Sequence, residues 1–152
     1  MRNKGFTIAE LIIVLVMAGI VMAIISPSLS RAFRRTGVRA AVDEFSSTHS
    51  LARSAAVRFG RMAELHIDTI GMSFWVEVDT SSAGGVKDTV GVVKYQQGND
   101  VTIESTRGLL CFDARGLPTT RGACEAPDAR LIFTSGSRED TINITALGRV
   151  LR

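Results

Sequence analysis

The chain has 152 residues, is 45% hydrophobic and carries a formal charge of +3. Two of its cations, Arg2 and Lys4, precede Gly5 and leave about +1 for the remainder, so no bulk affinity for polyanions follows from the charge. About 90 residues follow the helical N-terminal part read below, enough for one small domain and too few for two.

The run from Phe6 to Ile25 is apolar apart from a single charge, Glu10. At 1.5 Å per residue it is about long enough to cross a hydrocarbon core. Its Phe, Ile, Leu and Val side chains each favour insertion by roughly 0.3–0.6 kcal/mol, against at most about 3 kcal/mol for a central acid. Insertion is therefore expected despite Glu10. Arg2 and Lys4 lie before the run, so the positive-inside rule keeps the N-terminus cytoplasmic and sends everything after Ser26 across the membrane. A cleaved secretory signal fits less well, because its apolar region is shorter and free of acid, and no Cys follows the run as a lipidation site. A carboxylate inside an apolar helix needs a compensating cation and marks function rather than decoration.

Ser26-Pro27-Ser28 marks a kink or a fresh start. Beyond it Leu29, Phe33, Val38, Val42, Phe45, Ala52, Ala56 and Phe59 recur mostly at spacings of three, four or seven, which predicts an amphipathic helix to about residue 60. Gly19, Pro27 and Gly37 are its expected weak points. Arg31 to Arg39 read as a solvated helical face in preference to a lipid-headgroup site.

From Arg61 the period changes to two. Strands are predicted at Glu64–Asp68, Ser73–Asp79, Val90–Tyr95, Val101–Glu104, Leu109–Phe112, Leu131–Thr134 and Thr141–Thr145, separated by Gly, Ser, Asn, Asp and Pro. Ser81–Gly85 reads as a hairpin loop and Gly116–Asp128 as a longer one. The fold class is α+β: a long N-terminal helix, its first half transmembrane, packed on a small antiparallel domain expected as two sheets. Phe74 and Trp75 are adjacent on a strand and face opposite ways, with core packing the default for Trp75.

Cys111 and Cys124 are the only cysteines, and in an exported domain they are expected to pair. No metal site or cofactor is expected: the two histidines lie far upstream of the cysteines and no CxxC pair exists. Nor is an enzyme expected. His49 falls on the helix and His66 on a strand, with no motif that orients either toward a nucleophile and no glycine-rich phosphate loop.

The basic leader, Gly5 followed by Phe6, Glu10 as the fifth residue after that junction and the unbroken apolar helix together resemble the type IV pilin superfamily. The resemblance implies cleavage between Gly5 and Phe6 by a prepilin peptidase, N-methylation of Phe6, and use of the apolar helix first as an inner-membrane anchor and then as a filament core. It implies four regions: a leader at 1–5, a membrane and filament helix at 6–25, an amphipathic helix at 26–60 and a periplasmic β-rich domain at 61–152. Glu10 is read as a registry device that meets the Phe6 amine of a neighbouring subunit.

Within the superfamily, a helix followed by short strands, Phe133-Thr134-Ser135-Gly136 and the terminal Gly148-Arg149-Val150-Leu151-Arg152 look most like the GspH/FimT group. That likeness implies a minor pseudopilin of a type II secretion system, at the pseudopilus tip, with a minor type IV pilin for pilus assembly or DNA uptake as the alternative. The implied partners are other pilins or pseudopilins, the prepilin peptidase and the membrane. Some members of the group bind DNA through a motif that resembles Gly-Arg-x-Arg. Here the second arginine comes one residue late, so Arg149 and Arg152 project oppositely on a strand, and DNA is the less favoured partner.

Overall fold

A computed structural model describes residues 8–80, 85–96 and 100–152, with the backbone alone for residues 25–35. The expected loop at Ser81–Gly85 thus lies outside the described residues apart from Gly85. The chain divides into two compact units, Met1–Phe33 and Arg34–Arg152.

Helix α1 runs from Ile8 to Phe59, so neither Gly19, Pro27 nor Gly37 interrupts it. In the first unit its apolar side chains from Ile8 to Ile24 are exposed. Among the described residues no helix is long and apolar enough to cross a membrane. Phe6, Thr7 and the side chain of Ile25 lie outside the description, and what remains of the expected span falls short of the roughly 20 residues a crossing needs.

In the second unit the helix buries Val38, Ala41, Val42, Phe45, Ala52, Ala55 and Ala56, the face its spacing predicts. It stops at a glycine. Gly60 adopts φ 63°, its N–H donates to the Val57 carbonyl and the Arg61 N–H donates to the Ala56 carbonyl. This paired closure in the left-handed region is available to glycine without the penalty a Cβ brings.

Among the described residues nine strands follow: β1 (Ala63–Asp68), β2 (Ser73–Asp79), β3 (Lys87–Tyr95), β4 (Thr102–Ser105), β5 (Leu109–Phe112), β6 (Pro118–Thr119), β7 (Ala129–Ser135), β8 (Arg138–Ile144) and β9 (Val150–Leu151). They form two antiparallel sheets, one in the order β3-β2-β1-β5-β6 and the other β4-β7-β8-β9. The predicted runs for β2 and β5 match residue for residue. β3, β7 and β8 begin two or three residues earlier than their apolar runs, where ladder pairing continues into polar sequence. β6 and β9 were not expected, since strands of two residues carry no periodicity.

The core lies between the sheets and the helix. Phe45 of α1 meets the ring of Phe74 on β2 edge to face at 5.3 Å and that of Phe133 on β7 at 5.9 Å, so one side chain joins the helix to both sheets. Trp75 does not pack in this core, contrary to expectation. It lies on the outer face of its sheet, half-buried, and its ring stacks on His66 at 4.9 Å. The period-two reading separates the two aromatics correctly, but Phe74 takes the inner face.

Cys111 and Cys124 form the expected disulfide, 13 residues apart in sequence. It fastens the β5–β6 region, where Asp113 organises the turn by accepting from the backbone N–H groups of Arg115 and Leu117. The Leu117 N–H, with Arg115 beside it, holds the Asp113 carboxyl below the usual carboxylate range. Cys124→Ala is expected to cost about 3 kcal/mol, the chain-entropy value for a loop of this size. Urea unfolding of the oxidised protein and the variant checks it, and an unchanged midpoint overturns it.

Candidate functional site

The processing residues expected at the N-terminus, Gly5 and Phe6, lie outside the described residues. Glu10 is described. It sits in the first turn of α1, solvent-exposed, at the end of a helix where unpaired backbone N–H groups favour a negative charge. Around and beyond it the exposed side chains are Ile, Leu, Val and Met up to Ile24.

At the other end of the chain the expected arginine pair is separated by its surroundings. Arg149 is exposed and sits in the turn before β9. That turn is built on Gly148, at φ 70°, where an added Cβ would lie 2.5 Å from Cγ of Pro118. Glycine is needed there for conformation and for space together. The Arg149 N–H donates to the Thr145 hydroxyl and its carbonyl accepts from the Thr145 N–H, which directs the chain into β9 beside β8.

Arg152 is occupied. Its Nε and Nη2 donate to one oxygen of Asp140 on β8, at 3.1 and 2.8 Å, and its Nη1 donates to Asp43 on α1 at 3.1 Å. Asp140 chiefly, with Asp43, holds the guanidinium in its charged form beyond the usual range for arginine. A guanidinium already satisfied by two carboxylates has fewer N–H groups left for a phosphate. The residue therefore latches the C-terminus to the helix, an arrangement the sequence motif does not disclose, because Asp43 is distant in the chain.

The histidines are likewise apart. His49 is buried in the core with its ring edge to face against Phe112 at 5.1 Å, and His66 is on the outer face of β1. Among the described residues neither Nε2 has a hydrogen-bond partner.

Residues 1–26 match the family model for the prokaryotic N-terminal methylation motif. Comparison with curated protein sequences gives no match. Among solved structures the chain is similar to the type IV minor pilin FimU of Pseudomonas aeruginosa strain PAO1, with a TM-score of 0.59 and 16% sequence identity, over 77% of this chain and 88% of FimU. The methylation motif at the N-terminus and the likeness to the fold of FimU both support the resemblance to the type IV pilin superfamily.

Proposed function

We propose that the chain is a minor pilin: a non-catalytic subunit that is cleaved between Gly5 and Phe6, methylated at Phe6, anchored in the bacterial inner membrane by its apolar helix and then assembled into a type IV pilus. The observation that carries this reading is the likeness to the fold of FimU, which favours the pilus over the secretion pseudopilus that the sequence alone put first. The exposed apolar stripe from Ile8 to Ile24 supports it, since such a surface needs lipid or neighbouring helices around it. In this reading the unit from Arg34 onward faces the periplasm, where its disulfide persists.

Glu10 then supplies the register. In a helix bundle of low dielectric its carboxylate pairs with the freed Phe6 amine of another subunit, and a mispaired register leaves a buried charge uncompensated. Glu10→Ala is expected to insert in the membrane normally and to fall at least about tenfold in sheared pili, as loss of a buried ion pair of a few kcal/mol implies. Wild-type recovery of the variant in sheared filaments sinks the assignment. Deleting the gene separates the two filament types: loss of surface pili with protein secretion intact supports the pilus, and the reverse supports a type II secretion pseudopilus.

A further inference from the structure

The outer face of the β1–β2 hairpin holds a constellation that the proposed function leaves unexplained. Glu64 and Glu77 are directly opposite each other across the ladder, as are His66 and Trp75. Two carboxylates in that relation repel, and the side chain of Glu64 is only 7% exposed, so the pair needs positive charge, of which Lys87 supplies one unit for two acids. The fold holds one oxygen of each acid. Lys87 Nζ lies 2.6 Å from Glu64 Oε1, and the Trp75 indole N–H donates to Glu77 Oε1 at 2.8 Å.

The other oxygen of each acid faces one buried atom. His66 Nε2 is 3.4 Å from Glu64 Oε2 and 3.4 Å from Glu77 Oε2, and it has no hydrogen-bond partner. An imidazolium bridging two carboxylates draws in to about 2.7–2.9 Å. By contrast, donor atoms bound at about 2.0–2.1 Å around a tetrahedral ion are about 3.4 Å apart, the spacing found for the two pairs that His66 makes. The three donors lie within 4.8 Å of one another, so closure of the carboxylates by a rotamer adjustment completes the set.

We propose that Glu64, His66 and Glu77 form a site for a divalent transition-metal ion of the zinc class. One imidazole and two carboxylates suit such an ion better than Mg²⁺, which prefers oxygen ligands and retains its water. Lys87 and Trp75 act as the outer partners that fix the two carboxylates, and the stacked Trp75 ring fixes the plane of His66. A cleft of about 320 Å³ lined by Arg61, Met62, Glu64, Glu77, Asp79 and Lys87 reaches the two carboxylates, while His66 lies outside its lining.

The chain offers an internal probe, because Trp75 is its only tryptophan and His49, the only other histidine, is buried in the core. The untagged full-length protein in detergent is titrated with ZnCl₂, and separately with MgCl₂, while tryptophan fluorescence and calorimetric heat are followed. One Zn²⁺ per chain with a change in Trp75 emission, and no response to Mg²⁺, is the expected result. His66→Gln and Glu77→Gln should each weaken binding by at least about tenfold, since even outer-partner changes typically cost that much. Co²⁺ added to the wild type should give visible absorption of a tetrahedral nitrogen and oxygen set, which a misfolded variant cannot confuse. Absence of one-to-one Zn²⁺ binding, or binding undiminished in both variants while the Co²⁺ spectrum is octahedral, overturns the site.

Discussion

Phe45→Ala is expected to remove about 4 kcal/mol of folding stability, much of what holds a small domain together. The side chain is fully buried and its ring touches Phe74 in one sheet and Phe133 in the other. Truncation therefore loses transfer energy, leaves a cavity that two sheets must collapse to fill, and abolishes two aromatic pairs worth roughly 0.5–1.5 kcal/mol each. Phe45→Leu keeps most of the volume and should lose clearly less. Ser54→Ala, on the exposed face of the same helix, should move stability by no more than about 0.5 kcal/mol. Urea unfolding followed by tryptophan fluorescence tests all three. A loss for Phe45→Ala no greater than that for Ser54→Ala shows that the sheets do not depend on this helix for their packing.

Phe45 was readable before the fold was known, because helical spacing is a local property. So were the change of period at Arg61, the long strands and the pairing of the two cysteines. Gly60 and Gly148 stood in the sequence as turn signals, but the closeness of Gly148 to Pro118 is a tertiary fact. The same holds for Arg152. Its motif suggested a ligand contact, whereas the residue's partners, Asp43 and Asp140, come from α1 and β8. Trp75 went to the outer face because the helix packs on the side that Phe74, Val76 and Val78 present, and period alone does not say which side that is.

The juxtaposition of His66 with Glu64 and Glu77, on which the proposed site rests, is hidden in the sequence for a related reason. Spacing rules for metal sites examine ligands along one segment, and here Glu64 and His66 come from one strand while Glu77 comes from the next. A signal was available. Folding the hairpin about Gly71 so that Asp68 meets Ser73 places Glu64 opposite Glu77 and His66 opposite Trp75, as the ladder does. Register, once fixed, brings like charges together on one face, and that juxtaposition is the feature that asks for a cation. Glu10 shows the converse. Its oddity is plain in the sequence, and the partner proposed for it belongs to another subunit.

Acidification should weaken the fold through His49. This side chain is buried, its Nε2 has no hydrogen-bond partner, and burial first and the Arg53 charge second push its pKa down from 6.5 to about 4. The unfolded chain therefore takes up the proton at a higher pH than the folded one. Above about pH 6.5 neither state holds it and His49 makes no pH-dependent contribution. As pH falls from about 6.5 to about 4, the unfolded state gains the proton alone and stability drops, by about 3 kcal/mol at the lower end. Below that the folded state is protonated too, and this component of the loss levels off. His49→Leu fills the same space beside Phe112 without a titrating group. Urea midpoints at pH 7.5, 6.0, 5.0 and 4.5 should fall steeply in the wild type and much less in the variant, and the difference between the two isolates His49 from every other ionising group. Parallel pH profiles rule out the buried imidazole as the source of acid sensitivity.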